Sequence, residues 1–489
     1  MRRIICLLLL AFLAACTQGP GVDALRNDVA AQLEQILPDQ GIEVASLERR
    51  GSQKDTEAPE GETRRIVYFD AQLKLNKDID FGAWNSPGIS ALVSALGAGP
   101  KGIEGIKTGG NRAGDTIEAH GTVLYRQEGD AWAPAVPVGY SPPVAAPRTT
   151  SDTSPGSAAW STTLRNMLDT LPRDTSPEQN RIIEQELRLA HQTIRARLAR
   201  SNRGYAIAAG AEHGQYLRVA RALFGADNPR TVPLITQGGE ENLQLLRAGK
   251  VSLALAQGDA AQDAYEGTGA FSGIGAHTEL RSIGSLYPEP LHVIALAQSK
   301  LESIAQLRGK RVAIGKVGSA SRTTALRVLQ AHGLEANDIE PLELSIGEAL
   351  SALQQGQVDA VMQVIGTPSD SIRELQTHTT LKFLPLAHSA VAQMVQARAG
   401  YFPYSISRGV YPSQNYDVPT IAAAALLLTD TTLSDAEVDA LTRRVYQTGR
   451  DYPGRGSAQG AQISVATSKI GLSVPLHPAA ARALNSLEP

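Results

Sequence analysis

The sequence predicts an α/β protein in two unequal parts, a small α+β unit near the N-terminus and a longer unit of alternating strands and helices from about residue 203. From residue 205 onward, short apolar runs alternate with stretches whose apolar residues recur every three or four positions, the rhythm that builds a parallel sheet between helices. Between residues 22 and 133, one helix-period stretch is followed by strands of apolar/polar alternation, the pattern of an antiparallel sheet covered on one face. A chain of 489 residues is also too long for one small domain, and two or three compact units are expected. The formal charge of −3 supplies no basic field for nucleic acid.

The N-terminus reads as an export signal: Met1-Arg2-Arg3, an apolar core over residues 4–13, then Ala14-Ala15-Cys16. The apolar core is too short to span a bilayer stably. Leu13-Ala14-Ala15-Cys16 resembles the lipobox of bacterial lipoproteins, which implies residues 1–15 as signal peptide, a lipidated (palmitate-type) Cys16 and residues 16–21 as a tether; the alternative is a plain secretory signal cut near Ala15. Thr17 after the cysteine slightly favours the outer membrane over the inner. Cys6 and Cys16 are the only cysteines, so the mature chain has no disulfide, thiolate metal site or cysteine nucleophile. The nine histidines are dispersed, none within five residues of another, and form no local metal motif. No cofactor is expected.

Along the chain, Leu25, Val29, Leu33, Ile36 and Leu37 mark a helix over residues 23–37, stopped by Pro38. Residues 42–47 and 65–75 read as strands, with the polar stretch 51–62 as a long hairpin loop between them. A helix over 87–96, a glycine-rich segment and a strand over 116–126 complete the small unit, residues 22–133. Gly97, Gly99 and Gly102 spell a G-x-G-x-x-G, but a helix precedes it and Pro100 sits inside, so it reads as a loop. Residues 134–202 are a Pro-rich linker followed by a helix that starts at Ser176-Pro177-Glu178-Gln179.

Beyond residue 203, strands are expected over 205–209, 231–236, 251–256, 291–297, 311–314 and 359–364, with helices over 215–224, 239–249, 259–267, 323–332 and 348–355. Residues 421–428 (IAAAALLL) have the length of a buried strand or core helix. Parallel sheets with ligands at the strand C-termini follow from this order. The turn between the first strand and helix is bounded by Gly210 and Gly214, and a helix start of this kind presents free N–H groups that favour an anion.

The motifs that follow appear in one fixed order. Gly210, Gly214, Gln215 and Tyr216 form a first glycine loop; Thr236-Gln237-Gly238-Gly239 with Asn242 and Leu243 a second; Leu253 to Asp259 a strand and turn. Ser285-Leu286-Tyr287-Pro288-Glu289-Pro290, Leu307 to Ala313, Gly315 and Gly318-Ser319-Ala320-Ser321, and Val358-Asp359-Ala360 before Gly366 and Pro368 come after. Over residues 203–485 this resembles the periplasmic solute receptors of TRAP transporters, in the TAXI class.

The resemblance implies a two-lobed periplasmic-binding-protein fold, type II-like, with lobe I over 203–291 plus 416–489 and lobe II over 292–415. It implies a hinge-closing cleft that captures a small organic acid or amino acid for a TRAP-type permease. A carboxylate would sit on the helix starts after Gly210 and Gly318, with hydroxyls from Ser319 and Ser321 and possible positive charge from His213. Gly214 and Gly238 shape the loops, Tyr216 or Tyr287 closes an apolar wall, and Pro368 ends the last motif. Asn242 and Gln257 either read the ligand's polar end or satisfy buried backbone, and for Tyr287, beside two prolines, the alternative is packing of the hinge. Where the family has Ser-Gly-Thr, this chain has Ser319-Ala320-Ser321, which puts a Cβ at a point of close approach. No G-x-S-x-G elbow or H-E-x-x-H helix is present, so binding rather than catalysis is expected. A ligand-sensing or envelope-interaction lipoprotein without a transport partner is the alternative.

Overall fold

The computed structural model describes residues 19–135 and 176–488, apart from 57, 59–60, 85, 87, 100–101, 130, 213, 226–230 and 413. Cys16, the signal segment, His213 and most of the Pro-rich linker therefore lie outside the described residues. Residues up to 141 and 205–489 form one compact unit, and residues 142–204 form another. Within the latter, a helix, α3 (Pro177–Arg203), starts on the capping box expected at Ser176, whose side chain accepts from Gln179 N while Gln179 returns a bond to Ser176 N.

The N-terminal part is a helix, α1 (Val22–Ile36), laid on a five-stranded antiparallel sheet. Its strands are β1 (Ile42–Lys54), β2 (Arg64–Leu75), β3 (Ile103–Glu104), β4 (Thr116–Glu128) and β5 (Ala131–Pro134), in the order β1-β2-β4-β3 with β5 on β4. Leu25, Val29 and Leu33 of α1 are buried against Val67, Phe69 and Leu73 of β2, the alternating residues of the sequence pattern. The expected hairpin loop over 51–62 is shorter than its polarity suggested, because β1 continues to Lys54, paired with Arg65. Ladder hydrogen bonds come from the backbone, so polar side chains on an exposed face do not end a strand. A short helix, α2 (Gly88–Ala95), is wholly buried.

The larger part is a ten-stranded mixed sheet. Its strands are β6 (Tyr205–Gly210), β7 (Thr231–Ile235), β8 (Leu253–Gln257), β9 (Leu280–Leu296), β10 (Arg311–Ala313), β11 (Glu340–Leu342), β12 (Ala360–Val364), β13 (Leu381–Phe383), β14 (Tyr401–Ile406) and β15 (Val418–Asp430). The order is β11-β10-β12-β9-β15-β8-β6-β7, with β13 on β9 and β14 on β15. Each end is parallel and wound with helices: α4 (Gln215–Phe224), α5 (Gly239–Arg247) and α6 (Gly258–Glu266) belong to β6–β8, and α7 (Ala320–Ala331), α8 (Ile346–Gln354) and α9 (Asp370–Gln376) to β10–β12. Helices α10 (His388–Ala397), α11 (Asp435–Tyr446) and α12 (Pro478–Leu487) complete it. No described helix is long and apolar enough to cross a membrane.

The centre departs from the expected all-parallel sheet. β9 and β15 are antiparallel to each other and to their outer neighbours β12 and β8. β9 is much longer than the segment 291–297 read as a strand, since it begins at Leu280 and runs through Pro288 and Pro290. Prolines argue against a central strand because they cannot donate to the ladder, and this hid its first half. Residues 421–428 resolve as strand, the middle of β15. β9 and β15 cross from one half of the sheet to the other, which makes two lobes on a shared spine: a periplasmic-binding-protein-like α/β fold.

The N-terminal part touches both halves. Trp84 donates to Gln462 O at 2.9 Å and stacks on Phe402 with ring centroids 5.9 Å apart. On the β10–β12 side, Arg373 of α9, 6 % exposed, donates to Val93 O and Ala98 O at 3.0 Å each, and Ser94 donates to Val410 O. On the other side, Gly105 N donates to Asp451, and Ala458 and Ala461 complete the core of the N-terminal sheet. Trp84→Ala should therefore destabilise the protein by about 3–5 kcal/mol, as for other buried aromatic truncations, whereas Val317→Ala, on an exposed side chain, should change little. The shift of the urea midpoint measures both; equal effects would show that Trp84 does not join the parts.

Candidate functional site

The glycine loops expected to hold a ligand all lie at the strand C-termini where the two halves face each other. Gly210 ends β6, Gly214 is the N-cap of α4, and Gly238, at φ +143°, precedes α5. Opposite them stand the start of α7 and the loop from β12 to α9, residues 365–369. The halves are bonded together across this line. Gln215 makes a two-way pairing with Gly366, donating to its carbonyl at 2.7 Å and accepting from its N–H at 2.8 Å, and also donates to Pro368 O. A Cβ at Gly366 would lie 2.8 Å from Gln215 Oε1 and 2.9 Å from the Tyr287 ring, so only glycine fits there. Pro368 O is reached from the other side by Gln459.

Several expected ligand contacts are already spent on the fold. Asn242, fully buried, accepts from Thr236 Oγ1 at 2.6 Å and donates to Ala209 O and Leu255 O at 2.7 Å each, tying the ends of β6 and β8. Its amide has the backbone role that the sequence left open. Ser319 is the N-cap of α7, donating to Lys316 O and accepting from Arg322 N. Ser321 donates to Val364 O and accepts from Gln363. Neither hydroxyl is an unspent donor, because each closes a local turn or strand end. Ala320 is 5 % exposed and belongs to the same apolar cluster as Trp84, Leu243 and Ala256. The Tyr216 ring packs against the apolar core of the first half, and its hydroxyl donates to Glu289 at 2.7 Å.

Beneath these loops lies a polar row on the spine. Ala425 of β15 is paired with Gln257 of β8 on one side and Tyr287 of β9 on the other, while Ala423 is paired with Glu289. Cross-strand partners and residues two apart share a face, so Gln257, Tyr287 and Glu289 project together, with only alanine methyls between them. The Tyr216 hydroxyl donates to the Glu289 carboxyl at 2.7 Å, and the Gln257 side chain lies beside it. Gln257 Oε1 and the Tyr287 hydroxyl are buried without a hydrogen-bond partner, and so are Asp259 Oδ1 at the start of α6 and Ser369 Oγ at the N-cap of α9.

Two groups of charge frame the row. Asp259, at the start of α6, accepts through Oδ2 from Thr324, Arg327 and Tyr401. Arg327 also pairs with Asp263 at 2.6 Å, as does Arg398 at 2.7 Å. Arg218 faces Asp370 at 3.5 Å. Glu289 has no ion-pair partner among the described residues; burial pushes its carboxyl up to about 8 against the pull of the Tyr216 and Gln257 bonds, and Asp259 adds to the rise. Glu240 at the start of α5 is raised by burial too, although Thr323 donates to it. Of these, Gln215, Asp259 and Glu289 were quoted within motifs but not as site residues, and Arg327 and Tyr401 were missed. Glu289 between two prolines in an otherwise apolar run was the one visible signal. Arg327 and Tyr401 left none, because they meet Asp259 only through the fold.

The model of the NMT1-like family matches residues 207–485, more than half of the chain. The chain belongs to the NMT1-like family. The match falls on the span whose motifs resemble TAXI-class receptors, and the family it names is the NMT1-like one. A protein of Escherichia coli (strain K12) named as an aliphatic sulfonates-binding protein is 35% identical over 124 residues, 25% of this chain and 36% of that protein. The chain thus spans about a third of the length of this curated relative. Among solved structures, the periplasmic aliphatic sulphonate binding protein SsuA of Escherichia coli is 16% identical, covering 58% of this chain and 79% of that one at a TM-score of 0.35. A sulfonate ABC transporter's periplasmic sulfonate-binding protein, SsuA of Methylobacillus flagellatus KT, is 14% identical, covering 58% and 94% at a TM-score of 0.33.

Glu289 sets a pH dependence whose sign is fixed by proton counting. Between 4.5, its ordinary value, and about 8, the unfolded chain has released a proton that the folded chain keeps, so stability falls as pH rises through that window. His292, which burial keeps neutral by pushing it down to about 4, has the opposite slope, but only below its ordinary 6.5. From pH 6.5 to 8 the wild type should therefore lose about 2 kcal/mol to Glu289, and Glu289→Gln should flatten that decline. Urea midpoints across the range measure it; a parallel decline in the variant would remove Glu289 as its source.

Proposed function

We propose that the protein is an extracytoplasmic receptor that captures a small polar solute between its two lobes, and that it is not an enzyme. The observation that supports this most is that Gln257 Oε1, Asp259 Oδ1, the Tyr287 hydroxyl and Ser369 Oγ are buried without a partner on the spine and at the helix starts beside it. Each such group costs about 1–3 kcal/mol when left unpaired. A fold that keeps several of them on one seam keeps them for a molecule that pairs with them. In this reading the Gln215–Gly366 pairing is the closed position of the cleft, and the solute enters when it opens.

The N-terminal Cys16 anchors the receptor to the envelope, with the outer membrane favoured. It hands its solute to a membrane permease. The motif resemblance suggests a TRAP-type partner and the named sulfonate receptors an ABC-type one; the NMT1-like match favours the ABC type. A sensing lipoprotein without a permease is the second reading, and the contacts of the N-terminal part with both lobes favour it, because opening must break them or carry that part along.

Purified protein lacking residues 1–21 should gain thermal stability with at least one solute from a panel of sulfonates, organic acids and amino acids. Tyr287→Phe should keep or raise the stability of the free protein, by up to about 1 kcal/mol, since it removes an unpaired hydroxyl. The same change should weaken that solute by roughly tenfold. Absence of any shift across the panel would sink the receptor reading. Cys16→Ser should move the full-length protein from the membrane fraction to the soluble fraction, and retention in membranes would refute the anchor.

A further inference from the structure

The unpaired atoms of the cleft differ in kind from the groups that would grip an anion. Gln257 Oε1 and Asp259 Oδ1 can only accept hydrogen bonds, and the hydroxyls of Tyr287 and Ser369 can accept as well as donate. All of Gln257, Asp259 and Tyr287 are nine-tenths or more buried. The cations do not offset them. Arg327 and Arg398 are held by Asp259 and Asp263, and Arg218 pairs with Asp370 at 3.5 Å, its Nε being the one guanidinium atom of these three that is buried without a hydrogen bond among the described residues. Glu240 and Glu289 are two further buried carboxyls with no guanidinium of their own among the described residues. A donor-rich cation would find acceptors in Gln257 and Asp259, and Glu289 would give up its proton as the cation approaches.

Resting on the receptor reading above, we propose that the solute carries a protonated nitrogen, an amine or zwitterion, which Glu289, Gln257 Oε1 and Asp259 Oδ1 receive. This differs from a sulfonate or a simple organic acid. A carboxylate at the other end of a zwitterion has the free N–H groups at the starts of α4 and α7 to rest on. Only Ala423 and Ala425, and no longer side chain, stand on the strand between Gln257, Tyr287 and Glu289.

Calorimetry with matched pairs tests this: taurine against ethanesulfonate, β-alanine against propionate, putrescine against a butanediol of the same length, within a wider panel of amino acids and polyamines. At least one amine should bind, and its counterpart without nitrogen should bind roughly 100-fold or more weakly, as expected when buried acceptors are left unpaired. Glu289→Gln should weaken the amine roughly tenfold, and Gln257→Met should do the same in case the first variant folds poorly. Binding of only the nitrogen-free acids, or of both members of each pair alike, would overturn this inference and leave the receptor standing. Binding of no member of the panel would overturn both.

Discussion

The antiparallel pairing of β9 with β15 is the constraint on which the rest of the fold depends. Each strand serves both lobes, so the lobes have no boundary in the sheet, and whatever projects from the middle of these strands is buried by both at once. Register bulges leave Leu286 and Ile283 of β9 as extra residues opposite Ala425–Leu426 and Leu427–Leu428, and bend β9 within the first lobe. Placing Tyr287 and Glu289 on this spine, rather than on a loop, fixes their positions to the accuracy of a central strand. The price is dehydration: Glu289 holds its proton far above the usual carboxylate range because no water reaches it.

The same logic separates the two kinds of polar group around the seam. Asn242, Ser319 and Ser321 satisfy backbone at strand ends and helix starts, and their bonds are complete. Gln257, Tyr287 and Asp259 are equally buried yet incomplete. In a folded protein nearly all buried polar atoms are paired, so incompleteness carries information that burial alone does not. A polar residue in a glycine loop is thus ambiguous until its partners are counted.

That ambiguity explains what was legible in the sequence. The periodicity from residue 205 located the helices to within a few residues because helix period is a local property, and α4, α5 and α6 all fall where the apolar spacing put them. The loops were legible for the same reason, since glycine and a helix start are read from neighbours in sequence. β9 was half hidden by Pro288 and Pro290, which obey a local rule that a central position overrode. Asp259 with Arg327 and Tyr401 could not be read at all: these residues are 68 and 74 to 142 positions apart in their contacts, and only the closed sheet brings them together. Glycine loops are read from neighbours in sequence, while the buried polar groups on the strands beneath them meet only through the fold.

The run Ile421–Leu428 shows how the two levels meet. In sequence it is apolar and featureless. In the fold, its leucines Leu426, Leu427 and Leu428 lie in the first lobe's core, whereas its alanines pass directly beneath the cleft, flanked by Gln257 on β8 and by Tyr287 and Glu289 on β9. A leucine at Ala423 or Ala425 would add side-chain volume in the middle of that row, where interiors have no spare room. It would press on Glu289 and Tyr287 without changing a single hydrogen bond. The small residues of this strand are therefore as much a part of the site as its polar groups, because a buried acceptor receives a donor only where the strand beside it leaves space.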